Sequence, residues 1–226
     1  MREEEDASAI DAAAATIARK RRARISFPAS PMLGVIAVAP KDEPVSTMPA
    51  GPHGGNLDNK LNGIGSTIYL PVNHPGALLS IGDMHASQGD GEISGTGVEI
   101  GGDVLLSCHV YKQNCLYPEG AGVCRYPVTE TDTHWVTHGV VIEDIPKTMT
   151  VACDEASKLL VGQWGFTPEE AFIFLSVRGD LGLCQFCHPD QGTQIARMVV
   201  PKIDACPKPF RGLWKRTTTP ASGIFS

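Results

Sequence analysis

From Ser26 onward the chain alternates short apolar runs with stretches rich in glycine and proline. Apolar runs of this length, bounded by such residues, predict strands. "MLGVIAVAP" (32–40) reads as a buried strand closed by Pro40, and "STIYLPV" (66–72) as a second that ends near Pro71. "GALLSIGDMHA" (76–86) is a third, and it runs into a glycine-rich stretch. "GTGVEI" (95–100) and "VLLSCHVY" (104–111) continue the β pattern, with "GGD" as the turn between them. "KDEPVSTMPAGPHGGNLDNK" (41–60) is a long loop, and residues 112–132 form an irregular excursion.

The period then changes. In 147–164 the apolar positions Met149, Ala152, Cys153, Ala156, Leu159 and Leu160 recur at spacings of three and four, which places them on one face of a helix. A second helix starts at "FTPEEAFIFLSV": Thr167 caps it, Pro168 takes the first helical position and Glu170 completes a capping box. "GLCQFCHP" (182–189) and "IARMVVP" (195–201) return to strand. The expected fold class is α+β, predominantly β, with a sandwich- or barrel-like β body and a helical pair near the C-terminus. Residues 1–25 open on acids, pass through alanines and end on Arg19–Arg24, a pattern for a helical or disordered N-terminal extension. Residues 26–205 form the main domain and 206–226 a proline-rich C-terminal arm.

Composition narrows the function. A chain of 226 residues with 42% hydrophobic positions buries a sizeable core. The net charge of −6 argues against nucleic acid as a partner. No run of 18 apolar residues is present, so no membrane span is expected. "MREEEDASAI" lacks the basic and apolar regions of a secretory signal, so the expected compartment is the cytoplasm. Seven cysteines, an odd number at irregular spacing, read as free thiols. No glycine-rich phosphate loop opens a helix, so nucleotide binding is not expected.

Candidate chemistry gathers in two loops. In "GDMHASQGDGE" (82–92), strand alternation puts Asp83 and His85 on one face, a half-site for a divalent metal. The glycines let Asp90 and Glu92 fold back to the same point, where either serves as ligand or as general base. In "GPHGGNLDNK" (51–60), His53, Asn56 and Asp58 flank Gly54-Gly55, which allows close approach to a small ligand. Cys184–His188 matches C-x-x-C-H, but neither an export signal nor a second C-x-x-C accompanies it, so these read as strand residues without a special role. His134, in "DTHWVTHG", stands at the start of an expected strand.

The ordered series "PHGGNLDNK…GSTIYLPV…GALLSIGDMHASQGDGEISGTGVEI", continued by "THWVTHG", "LSVRGDLGLCQ" and "MVVPK", resembles the acetamidase/formamidase family over about residues 27–203. The resemblance implies a β-rich fold, hydrolysis of small amides to carboxylate and ammonia, and a bound divalent metal, with zinc the expected ion. Carried onto this chain, it implies His85 with Asp83 or Asp58 as metal ligands, and Glu92 and Asp90 as catalytic carboxylates. Asn56, Gln88 and His134 are then the residues that hold the amide. The resemblance also implies a further β-rich region ahead of the stretch that matches "PMLGVIAVAP", where this sequence has the short Ala/Arg-rich segment instead. The expected assembly is therefore a homo-oligomer, or a complex with a partner chain that replaces that region. The alternative is a truncated, non-catalytic member that binds metal or a partner chain.

Overall fold

The computed structural model describes residues 17–18, 24–110, 124–186 and 193–203. Two antiparallel sheets build the body. The larger has five strands: β6 (Thr67–Tyr69), β8 (Val128–Glu130), β9 (His134–Ile142), β10 (Asp180–Gln185) and β11 (Thr193–Pro201), in the order β10-β11-β9-β8-β6. The smaller has four: β3 (Met32–Ala37), β4 (Ala50–Gly51), β5 (Gly54–Asn56) and β7 (Ser80–His85), in the order β4-β5-β3-β7. Two helices, α1 (Ile145–Trp164) and α2 (Pro168–Arg178), follow β9. The α+β, β-dominated class expected from the strand pattern is what the chain adopts.

Alternation along β9 and β11 divides the two faces of the large sheet. Trp135, Ala196, Met198 and Val200 pack under α1 with Ala152, Ala156, Leu159 and Leu160. These four helix positions belong to the apolar face read from the sequence, and each is 2% exposed or less. Thr137 Oγ1 donates to the Ala152 carbonyl at 2.8 Å, which ties sheet to helix. Gly139 sets their separation, because a Cβ there would lie 2.2 Å from the Thr148 carbonyl oxygen and 2.7 Å from Ala152 N. Those are backbone atoms, so Gly139→Ala has to lift the helix. Its expected cost is about 3 kcal/mol or more, read as a lowered urea midpoint.

The helix ends follow their caps. Asp144 accepts from Lys147 N at 2.9 Å, and Gly165 closes α1 at φ 68°. The α2 capping box forms as its residues predict: Thr167 Oγ1 accepts from Glu170 N at 3.2 Å, and Glu170 Oε2 from Thr167 N at 2.9 Å. Trp164, Phe166 and Phe174 pack edge to face and fix the turn between the helices.

Three expectations are corrected. Residues 95–110 do not form two strands: the 97–100 segment lies along β7 through single contacts such as Ala86 N to the Val98 carbonyl, and 101–110 carries no regular element. Its apolar side chains do not bury, with Leu105 at 97% exposure, and glycines at 95, 97, 101 and 102 interrupt the run. The third strand begins at Ser80, because Ala77 and Leu78 take positive φ in a turn. Within the N-terminal extension, Ile17–Ala18 (β1) and Arg24–Ile25 (β2) pair as an antiparallel ribbon rather than a helix. The rest of that segment, Cys187–His188 and the 206–226 arm lie outside the described residues.

Gly54 and Gly55 serve the sheet itself. Both take positive φ, and a Cβ on either would lie 2.3 Å from the Ile36 carbonyl or 2.4 Å from that of Pro49. The double glycine therefore lets β5 sit between β3 and β4, rather than opening a path to a ligand.

Candidate active site

The site lies where the small sheet meets the far face of the large one. Leu57, Cys184 and Ile195 pack together at this junction. A bulge between Leu183 and Gln185 lets two successive side chains turn toward it. Cys184 fills the core, and burial pushes its thiol up to about 12, so it is chemically quiet. Gln185 reaches the carboxylates.

Five ionisable groups converge. Asp58, Asp83 and His85 place one ligand atom each within 4.8 Å of one another, and His85, Glu92 and Glu99 do the same. His85 is 1% exposed and sits at the end of β7. Its Nε2 faces Asp83 Oδ1 at 3.2 Å, Glu99 Oε1 at 3.0 Å and Glu92 Oε1 at 4.0 Å. Simple alternation does not account for the Asp83–His85 pair. Asp83 has φ 53°, and Asp58 and Glu92 both have φ 42°. Three acids of one cluster thus hold a conformation that non-glycine residues disfavour, and such strain gathers at functional sites.

Two glycines make the space. A Cβ on Gly34 would lie 2.5 Å from Asp83 Oδ2 and 2.6 Å from Asp58 Oδ1. A Cβ on Gly97 would lie 2.8 Å from His85 Nδ1. The 97–100 segment, bridged to β7 at His85, brings in Glu99.

The imidazole's proton can be placed. Gln88 Nε2 donates to the Asp58 backbone carbonyl at 2.8 Å, which turns Gln88 Oε1 toward His85 Nδ1 at 2.5 Å. Nδ1 therefore carries a proton, and Nε2 looks at carboxylates alone. A lone pair facing three acceptors is repulsive unless a proton or a cation stands between them. Burial pulls the His85 pKa down, but the Gln88 bond and the charges of Asp83, Glu99 and Asp58 outweigh it and raise the net value. Burial, reinforced by the charge of Glu92, raises the Asp58 carboxyl to about 6. Burial also raises Asp83, against the pull of His85. Asp58 Oδ1 is buried and has no hydrogen-bond partner among the described residues. An orphaned carboxylate oxygen beside an imidazole lone pair suits a divalent cation. Both triads share His85, whose Nε2 is the nitrogen turned to Asp83, Glu92 and Glu99, so they describe one centre.

The remaining sequence candidates fall in different places. Asn56 ends β5, and its Oδ1 is buried without a partner among the described residues. Gln88 is held between His85 and Asp58, with Oε1 on the imidazole Nδ1 and Nε2 on the Asp58 backbone carbonyl. Asp90 pairs with Arg197 at 2.6 Å and Lys60 at 2.9 Å. Arg197 also donates to Asn59, whose amide meets His138 Nε2 at 2.8 Å. His134 is not brought to the cluster: it bonds Thr133 Oγ1 at 2.7 Å, and four residues of strand, about 13 Å, separate it from His138. Glu99 and Gln185, which the two loops did not point to, join the site through the 97–100 contact and the β10 bulge. An open cleft of about 360 Å³, lined by Gln88, Asp90, Glu92, Ile93, Ser94 and Thr96 among others, borders the site at Glu92.

His138 gives a pH test of this packing. It is fully buried, donates from Nδ1 to the Pro127 carbonyl at 2.7 Å, and is pushed down to about 4 by burial and the Arg197 charge. A histidine in the unfolded chain titrates near 6.5, about two units higher. Stability from this group is thus complete above about pH 6.5 and is lost as pH falls toward about 4, at up to ~1.4 kcal/mol per unit. Asp58 runs the other way, since its raised carboxyl favours the folded state on protonation. The difference between parent and His138→Gln isolates the histidine. Their gap in unfolding free energy is expected to narrow as pH falls below about 6; a gap independent of pH would contradict a neutral, buried imidazole.

These features define a chain with a carboxylate–imidazole cluster, a candidate centre for a metal ion, set at the junction of two antiparallel sheets. The profile of the Acetamidase/Formamidase family matches residues 10–180. The chain belongs to the acetamidase/formamidase family. It is 34% identical to the acetamidase of Mycolicibacterium smegmatis over 146 residues, covering 57% of this chain and 35% of that protein. It is 48% identical to the formamidase of Methylophilus methylotrophus over 61 residues, 26% of this chain and 15% of that one. The crystal structure of acetamidase from Bacillus halodurans superposes with a TM-score of 0.70 at 38% identity, covering 82% of this chain and 58% of that chain. The chain therefore spans less than two thirds of the length of each of these relatives. Among the described residues, no helix is long and apolar enough to cross a membrane.

Proposed function

We propose that this chain hydrolyses short-chain amides, of the formamide or acetamide type, to carboxylate and ammonia at the His85 centre. The observation that carries the reading is the set of carboxylates turned on His85 Nε2, in a chain whose relatives are named acetamidase and formamidase. Asp58, Asp83 and His85 are the residues proposed to hold a divalent cation, with Glu99 beside them. One imidazole among carboxylate oxygens suits zinc or manganese. A cation bound there supplies positive charge that polarises an amide carbonyl and acidifies water.

The chain's own groups do the rest. Gln88 fixes the His85 tautomer, so that Nε2 presents a lone pair to the centre. Glu92, whose Oε1 faces that centre, removes a proton from the attacking water and returns it to the leaving nitrogen. The acyl C–N bond breaks and a C–O bond forms, giving carboxylate and ammonium. Asn56 Oδ1 is an unfilled acceptor suited to an amide N–H. Asp90, neutralised by Arg197 and Lys60, anchors the loop that presents Glu92 rather than moving a proton.

The test is ammonia release from formamide, acetamide, propionamide and benzamide. Turnover that is highest with the two shortest amides supports the reading; a folded chain inert toward all of them with zinc or manganese present contradicts it. A second reading is a family member that holds a cation without turnover until further polypeptide covers the site. Its support is Ile93, which lines the cleft beside Glu92 and is 81% exposed. Turnover that appears only in an oligomer or in a complex with a partner chain favours it.

A further inference from the structure

Gln185 is 3% exposed at the end of β10. The β10 bulge aims it out of the large sheet, and two backbone bonds on either side, Gly91 N to the Cys184 carbonyl and Phe186 N to the Gly91 carbonyl, lock it against the loop that carries Glu92. Its Nε2 donates to Asp58 Oδ2 at 2.7 Å and to Glu92 Oε2 at 2.6 Å. Carboxylates only accept, so the orientation of the amide is fixed.

We propose that Gln185 is a positioning residue that clamps Asp58 and Glu92 through one amide nitrogen, and so selects which oxygen of each carboxylate works. With Oδ2 and Oε2 engaged, Asp58 keeps Oδ1 toward the space left by Gly34, and Glu92 keeps Oε1 toward His85 Nε2. A primary amide suits this task. It offers two N–H groups from one atom and does not ionise, so it holds two like charges at a set spacing without adding a third. Asp58 comes from the loop after β5 and Glu92 from the loop after β7, so the large sheet supplies the tie between two segments of the small-sheet side. The clamp rests on the amide-hydrolysis reading above, and it adds the residue that sets the roles of the two acids.

Gln185→Met keeps the length of the side chain and removes the donor. The expected result is a ten- to hundredfold loss of zinc or manganese affinity by calorimetric titration, the usual scale for partners that orient ligands. A matching fall in kcat is expected, with KM within about threefold and native circular dichroism. Gln185→Asn keeps the amide one methylene short of both carboxylates. It is expected to lose as much, and it carries the test should the methionine variant fail to fold. Parent-like cation affinity and kcat in either folded variant would overturn the clamp. A parent chain that binds the cation but releases no ammonia would overturn the reaction instead, and the affinity loss would still judge Gln185. A parent chain that binds no cation overturns both.

Discussion

Glu92→Gln is expected to lower kcat for ammonia release about 10²–10⁴-fold while the chain keeps its cation. The side chain is 8% exposed and held at one oxygen by Gln185, with the other oxygen 4.0 Å from His85 Nε2. Glutamine fills the same volume and cannot take a proton. Its carbonyl oxygen can accept from Gln185 in place of the lost carboxylate oxygen, so the fold is preserved. Asp58, Asp83 and His85 remain, so metal content after dialysis is expected to stay near that of the parent. Activity within threefold of the parent would remove Glu92 as the base and pass the role to Glu99, which faces the same nitrogen at 3.0 Å.

Gly34→Ala is expected to abolish cation binding at a modest cost to the fold. The added Cβ would lie 2.5 Å from Asp83 Oδ2 and 2.6 Å from Asp58 Oδ1, so both carboxylates must leave the centre. It would also lie 2.9 Å from the Asp83 backbone oxygen, which costs about 1–3 kcal/mol in strain. Side-chain ends move readily and Gly34 is not at positive φ, so β3 is expected to persist. Separation of the two effects is the signature: a small shift in thermal unfolding with loss of calorimetric binding. Parent-like affinity in this variant would show that the carboxylates are not needed where they stand.

Much of this was legible in the residues. The helices followed from spacing and caps, because those signals lie within a few residues of what they control. Asp58, Asp83 and His85 also stood out, since carboxylates and an imidazole beside glycines are costly to explain as packing. Long-range register was not legible. Glu99 reaches His85 through an isolated bridge in a segment that reads as an ordinary strand, and Gln185 arrives by a bulge 93 residues beyond Glu92. Gly34 did carry a signal: a glycine inside the apolar run "MLGVIA" marks a close approach. Asp83 and His85 do stand together, but with left-handed backbone at Asp83 rather than by the simple alternation the sequence suggests. The run 104–110 misled because its apolar residues match a strand while Val104, Leu105, Leu106 and Val110 all stay exposed.

The central claim is that one cation-holding cluster around His85 performs amide hydrolysis. The measurement that tests it most directly is ammonia release from formamide and acetamide by chelator-treated chain, as zinc or manganese is added back in fractions of an equivalent. A single centre built on one shared imidazole predicts no turnover at zero metal, a linear rise, and saturation at one cation per chain. Full activity in the chelated protein, or none at any metal load from a folded sample, would contradict the account.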